Sequence, residues 1–313
     1  MPSSRFRFSG TDQHIRAKLF GIGSAGCSII EGSSLPTVAF STSDADLARS
    51  HADRKFGMSL DRLASLAGAE STIMKLLPSI AGHELLDLFN NTDAAFMMSG
   101  LGGMTGSLGS KVFSLVARAK GVVCVSLVTF PFSAESLRRR EMADRSMGPI
   151  LKNSDLCLVF DNDKLSSLAP NLQLSRAFSL LNGIMMRPVK DLCSIMGRSD
   201  VHAFKQAVDG CPYARFGLGL AGGDDRVRRV VEEAMSSPWF DYDPAEADAV
   251  VAVYCSADPW DKEADSILKE LEMRMTSARL LWGSYADPSL GQRVRLSLVL
   301  CKSGKDLPFV RRS

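Results

Sequence analysis

Long hydrophobic runs, paired cysteines and an excess of either charge are all missing from this 313-residue chain. No apolar run approaches the ~18 residues that a membrane span needs, and the opening MPSSRFRFSGTDQHI lacks the continuous apolar stretch of a signal peptide. A soluble, cytoplasmic protein is the expectation. The seven cysteines (Cys27, Cys124, Cys157, Cys193, Cys211, Cys255, Cys301) are odd in number and scattered singly, without the spacing of zinc sites or redox dithiols, which fits a reducing compartment. The four histidines (His14, His51, His83, His202) stand at no metalloprotease-like spacing, so no catalytic metal cage is expected. Lysine plus arginine number 37 against 35 acidic residues, too even a balance for a nucleic-acid partner held through its phosphate backbone. The 45% hydrophobic and 23% charged content are ordinary for globular proteins and exclude disorder or collagen-like repeats. At roughly 100–200 residues per domain, the length predicts two domains.

What is present is an alternation of short, β-branched apolar runs with longer amphipathic stretches, the pattern of a parallel sheet wrapped by helices. Strands are predicted at Ala17–Ile22, Thr37–Ser41, Ala94–Ser99, Val122–Thr129 and Leu156–Phe160, with helices over Thr72–Leu88 and Leu108–Lys120 between them. A site is expected at the loops that leave the strand C-termini. Between Ala169 and Met196, apolar residues from Ala177 to Met196 recur at three- and four-residue spacing, the mark of a buried connecting helix. Pro188 falls inside it, where a missing donor and a ring clash predict a kink near Met185–Arg187. The second half is predicted to be a smaller domain, with a helix over Asp224–Met235, strands at Ala249–Tyr254 and Arg293–Leu300, and a helix at Asp261–Met275 between those strands.

Two glycine-rich turns carry the chemistry. Gly21-Ile22-Gly23-Ser24-Ala25-Gly26 follows an apolar strand and precedes a helix, so that backbone can approach a phosphate at a helix N-terminus. Alone, it also fits a dinucleotide fingerprint, with Asp44 or Asp46 as the acid ~20 residues on that contacts a ribose, so a nicotinamide enzyme stays open at this point, although no hydride-transfer acid or base is identified. The second turn is Ser99-Gly100-Leu101-Gly102-Gly103-Met104-Thr105-Gly106-Ser107-Leu108-Gly109-Ser110, again between strand and helix. Its glycines expose several N–H groups in one concavity and Thr105 and Ser107 add hydroxyls, which suits a di- or triphosphate better than a single carboxylate.

At these residues the chain resembles the tubulin and FtsZ superfamily, whose phosphate loop reads GGGTGS or GGGTGT. The resemblance extends along the chain from about Lys18 to Ser303. Val128-Thr129-Phe130-Pro131-Phe132-Ser133, followed by Glu135 and Arg139, is similar to the FtsZ segment whose glutamate and arginine hold ribose and phosphates. Asn162-Asp163-Lys164-Leu165 resembles a strand-end signature whose asparagine contacts guanine. Phe178 and Asn182 have the spacing of the aromatic that stacks on the base and the side chain that reads its edge. Gly219-Leu220-Ala221-Gly222-Gly223-Asp224-Asp225-Arg226 resembles the loop and helix start that open the activation domain.

The resemblance implies an α/β, tubulin/FtsZ-like architecture: a parallel-sheet GTP-binding domain (1–170), a long core connecting helix (171–197) and a smaller α+β activation domain (198–313). It implies GTP or GDP as ligand, with Mg2+ as an accompanying ion. The nucleotide-binding set would be Gly21, Gly23, Ser24, Ala25 and Gly26 of the first turn, Gly102, Gly103, Met104, Thr105, Gly106 and Ser107 of the second, and Glu135, Arg139, Asn162, Phe178 and Asn182. Each also has a plainer reading. Glu135 and Arg139 make an i,i+4 pair on a solvated face with Arg138 and Arg140, and Phe178 alone would suit a core.

Departures matter equally. Met104 and Leu108 stand where the family has glycines, so strain is expected if either position needs a positive φ. The FtsZ loop after the core helix brings an asparagine and two aspartates into the neighbouring subunit's site to position the attacking water. Here Gly197-Arg198-Ser199-Asp200-Val201-His202-Ala203-Phe204-Lys205 is shorter, leaving Asp200 as the residual catalytic candidate, acting in trans. A GTP-binding cytoskeletal protein that assembles head to tail with impaired hydrolysis is the primary expectation. The alternative is a degenerate, non-hydrolysing paralogue, a structural or regulatory partner of an active polymer. The partner is therefore a second copy or another FtsZ/tubulin-family subunit. Only Cys301–Ser313 follow the last predicted strand, so no adaptor-recruiting tail and no direct membrane binding are expected.

Overall fold

The computed structural model describes residues 5–9, 13–69, 72–80, 83–165 and 173–303. They group into two compact units, Arg16–Met186 and a second formed by Arg187–Ser303 with the described residues before Arg16.

Strand β1 (Arg5–Arg7) belongs to the second unit. The first unit is built on β2 (Ala17–Ile22), β3 (Thr37–Ser41), β4 (Arg54–Gly57), β5 (Ala94–Gly100), β6 (Val123–Phe130) and β7 (Leu156–Asp161), all paired in parallel in the order β7-β6-β5-β2-β3-β4. Every residue of β3 and β6 is buried, as befits strands covered on both faces. One of the unit's cores packs Phe20 on Phe89 (ring centroids 4.6 Å apart) and Phe40 on Phe113 (4.8 Å) between sheet and helices. Edge strand β4, Arg-Lys-Phe-Gly, buries Phe56 alone and had no apolar run to betray it.

Helices follow the strands. Gly23–Ile30 leaves β2, Met104–Ala119 leaves β5, and Leu137–Asn153 follows β6. The helix predicted from Leu108 thus starts at Met104, with Gly103 as its N-cap. This settles the expectation of strain. Met104 and Leu108 sit in helical backbone, and Asn91 is the non-glycine residue with positive φ among those described. The predicted helix Thr72–Leu88 is instead two, Ile73–Ile80 and Glu84–Asp87, with Ala81 and Gly82 between them outside the described residues. The long helix Leu174–Ile195 runs on through Pro188 without a break.

The second unit has a mixed sheet, β1-β10-β9-β11-β8, from β8 (Tyr213–Gly222), β9 (Ala249–Ser256), β10 (Arg279–Ala286) and β11 (Arg293–Lys302). β1, β10 and β9 are parallel, and β11 runs antiparallel to both of its neighbours. Gly219–Gly222, expected as a loop, end β8, and the helix that follows begins at Arg226. Glycines in this strand serve the packing: a Cβ at Gly217 would lie 2.1 Å from the carbonyl oxygen of Ala234 on that helix.

One buried polar chain ties the end of the long helix to this sheet. Asp191, 1% exposed, accepts a hydrogen bond from the Tyr285 hydroxyl (2.7 Å); that oxygen accepts from Arg295 (2.9 Å), which also donates to Asp287 (2.9 Å). Burial pushes the Asp191 carboxyl above its ordinary pKa, and Arg295 lies 3.9 Å away as the offsetting charge. Asp191→Ala should therefore cost about 3 kcal/mol, the low end of the range for splitting a buried pair, because Asp287 still holds Arg295. In urea titrations, Asp191→Leu combined with Arg295→Leu should cost clearly less than the sum of the two single changes.

Candidate functional site

At the C-terminal ends of the parallel strands of the first unit lies a cleft of about 500 Å³. Its floor is the pair of glycine turns, where the N-termini of Gly23–Ile30 and Met104–Ala119 expose N–H groups with no intrahelical partner. Close backbone approach explains the glycines. A Cβ on Gly106 would stand 2.1 Å from the carbonyl oxygen of Gly100, and Gly102 adopts φ +94° with its backbone against Arg139.

Twelve of the residues expected from sequence line this one cleft: Gly23, Ser24, Ala25, Gly103, Met104, Thr105, Gly106, Glu135, Arg139, Asn162, Phe178 and Asn182. Gly21, Gly26, Gly102 and Ser107 do not. Gly21 and Gly26 face each other within the first turn, where a Cβ on Gly21 would meet the Gly26 carbonyl oxygen at 2.7 Å. Ser107 braces the second turn from behind. Its hydroxyl is buried and accepts the Gly102 N–H (3.0 Å), holding the second turn in shape.

The walls come from three further elements. The loop after β6 is pinned where Asp163 accepts the N–H (2.8 Å) and hydroxyl (3.1 Å) of Ser133. Within it Glu135 accepts the Phe132 N–H (2.9 Å) and pairs with Arg139, so the plain i,i+4 pair and the cleft position both hold. Asn162, at the end of β7, is 7% exposed, and its Oδ1 has no hydrogen-bond partner. Phe178 is 36% exposed and meets Phe132 edge-on at 6.0 Å; it forms cleft wall, not core.

Sequence reasoning missed a contribution from the β3 end. Thr42 hydrogen-bonds Thr105 through their hydroxyls (2.5 Å), and Asp46 lines the cleft from a helix, Asp44–Arg49, capped by Ser43. The signal was visible, since Asp46 follows the first glycine turn at the spacing attached to the nicotinamide reading. Thr129, Pro131 and Ser28 also line the cleft. Cys27, behind the first turn, is a packing group: burial pushes its thiol up to about 11.

The Asp200 carboxylate, the residual catalytic candidate, is turned inward. It lies in the second unit as a buried acceptor, 4% exposed, rather than as a free loop carboxylate. It takes the N–H of Gly197 (2.8 Å) and both the N–H (3.1 Å) and hydroxyl (2.9 Å) of Ser9. Three donors from its own chain satisfy the charge. Among the described residues no group of three or more His, Cys, Asp or Glu side chains could hold a metal ion, and no helix is long and apolar enough to cross a membrane.

A parallel sheet with glycine turns opening helices at its strand ends, together with a mixed-sheet unit, defines a two-domain α/β protein of the type with a GTPase domain and a C-terminal domain. The chain belongs to the tubulin/FtsZ family. Residues 16–170 match the tubulin/FtsZ family GTPase domain and residues 212–303 the FtsZ family C-terminal domain. It is 29% identical over 299 residues to cell division protein FtsZ 1 of Archaeoglobus fulgidus, covering 90% of this chain and 81% of that one. To the protein of the same name from Pyrococcus woesei it is 27% identical over 303 residues, covering 92% and 83%. The solved empty FtsZ dimer of M. jannaschii superposes with a TM-score of 0.79 at 25% identity, over 94% of this chain and 90% of that one. CetZ2 from Haloferax volcanii, solved as a GTPγS-bound protofilament, shares the fold at 19% identity and a TM-score of 0.71, over 95% and 97%. Membership removes the nicotinamide reading.

The glycine geometry makes a sharp prediction. Gly106→Ala should destabilise the chain by about 1–3 kcal/mol or more, since its methyl group must displace backbone. Gly103→Ala, at φ −89° with nothing within 4 Å of its Cβ, should melt like the parent. Thermal denaturation followed by circular dichroism compares the two.

Proposed function

We propose that this chain binds a guanine nucleotide in the cleft, assembles head to tail, and hydrolyses GTP slowly. One observation carries the ligand reading. Asn162 is a buried amide whose carbonyl oxygen has no partner, and an unpaired buried acceptor costs about 1–3 kcal/mol unless a ligand N–H satisfies it. Guanine offers such donors on one edge. Asn182 supplies a second polar contact and Phe178 a half-exposed ring to stack on, while phosphates lie at the helix N-termini and glycine N–H groups. Glu135 and Arg139, in the same lining, serve the ribose and phosphates. Mg2+ would travel with the phosphates, with Asp46 and Glu135 the carboxylates of the lining.

Slow turnover follows from Asp200. Phosphoryl transfer to water depends on positioning the water and stabilising charge, and a carboxylate occupied by Gly197 and Ser9 does neither for a neighbouring copy. The same observation supports the second reading, a non-hydrolysing partner of an active polymer. Head-to-tail contacts are heterologous and do not close, so self-assembly gives filaments, whereas the second reading requires another family member.

Calorimetry should show GTP and GDP binding more tightly than ATP, with Asn182→Ala reducing guanine affinity several-fold, the scale of a neutral hydrogen bond at about 0.5–1.5 kcal/mol. Equal affinity for GTP and ATP would contradict the assignment. Phosphate release at saturating GTP should be slow in the parent; robust turnover would refute the hydrolysis reading, and filaments in the parent alone would decide against an obligate second family member.

A further inference from the structure

A second cavity, of about 410 Å³, opens off the cleft between the helices Gly23–Ile30 and Asp44–Arg49, sharing Ser24, Ser28 and Asp46 with it. Strand order fixes its place along the sheet. Asn162 follows β7, the glycine turns follow β5 and β2, and the helix Asp44–Arg49 follows β3, on the far side of those turns. A nucleotide with its base at Asn162 and its phosphates on the turns therefore points the free end of its phosphate chain at this cavity. Arg49 and His51 line it and do not line the cleft.

The polar groups of the cavity are unevenly used. Glu31 accepts the His51 N–H (3.0 Å) and the Ser50 hydroxyl (3.1 Å), and its other oxygen lies 3.2 Å from the His51 ring. Asp46 accepts the Ser41 hydroxyl (3.1 Å) and one N–H of Arg49 (2.7 Å). Each acid thus already has its donors. The Ser24 and Ser28 hydroxyls bond no other described group, and Arg49 spends that one N–H and keeps the rest of its fork. Unused donors beside acids that are already matched suit an anion rich in acceptor oxygens, and a guanidinium fork fits a phosphate group. We propose that this cavity is a second phosphate subsite, taking one phosphate group beyond the triphosphate, with Arg49 as its principal contact. That group is either the outermost phosphate of a longer guanosine 5′-polyphosphate or a free phosphate ion beside the bound nucleotide. The inference rests on the guanine-nucleotide reading above, which sets the direction of the phosphate chain.

The test uses calorimetry on the full chain, the parent beside Arg49→Ala and Arg49→Lys. One arm compares guanosine 5′-tetraphosphate with GTP, and the other titrates inorganic phosphate onto the chain loaded with GDP. In the parent the tetraphosphate should bind about tenfold or more tightly than GTP, the scale of one hydrogen bond to a charged group. Arg49→Ala should remove that margin and Arg49→Lys should keep part of it, since a lysine holds the charge without the fork. The ratio of the two affinities is the readout, so any effect of an uncovered Asp46 on the nucleotide itself cancels. A margin that depends on Arg49 assigns the subsite to an attached phosphate; binding of inorganic phosphate that depends on Arg49, without the margin, assigns it to the free ion. Absence of both, or their survival in Arg49→Ala, overturns the inference and leaves the guanine-nucleotide reading standing. A parent that binds no guanine nucleotide overturns that reading, and the inference falls with it.

Discussion

Backbone laid against backbone at the ends of β2 and β5 is the constraint on which the rest of the first unit depends. A Cβ on Gly26 would stand 2.1 Å from the Met98 carbonyl oxygen, and one on Gly106 equally close to that of Gly100. No side chain fits at either place. Because the helices press so closely on the strand ends, their N-termini open together at one edge of the sheet, and their unpartnered N–H groups become the floor of a single cleft. Ser107 and the Thr42–Thr105 pair then hold the turns in that arrangement.

The second unit spends its acids on structure. Asp191 and Asp200 are both buried, and each has its partners within the unit: Asp191 accepts from Tyr285 with Arg295 nearby, and Asp200 accepts from Gly197 and Ser9. The N-terminal segment makes the second arrangement possible. β1 pairs with β10, Arg5 and Arg7 bridge to Glu272 and Asp261, and Phe8 is buried, which delivers Ser9 to Asp200. A carboxylate that the sequence offers as a catalytic candidate thus meets a segment far away in the chain.

Much of the fold was legible in the sequence. β2, β3, β5, β6, β7 and β9 are largely apolar runs because strands covered on both faces need little else, β11 alternates apolar residues with Arg295 and Ser297, and the glycine turns announced themselves because only glycine permits the approach they make. β4 and β8 were silent for physical reasons: an edge strand buries one residue in four, and a strand under a close-packed helix trades its β-branched residues for glycine. Asn162, Phe178 and Asn182 carry no signal by composition. Only the resemblance drew them into one set, and their shared cleft is a property of the packed chain.

By itself, the sequence determined which backbone positions exclude a side chain, which runs are buried on both faces, and which family pattern the motifs follow. The tertiary structure alone decided where each polar group points. The Ser107 hydroxyl accepts the Gly102 N–H, and Asp200 meets Ser9 from 191 residues away. Burial of a polar side chain is fixed by whichever distant segment folds over it, and no local spacing encodes that partner.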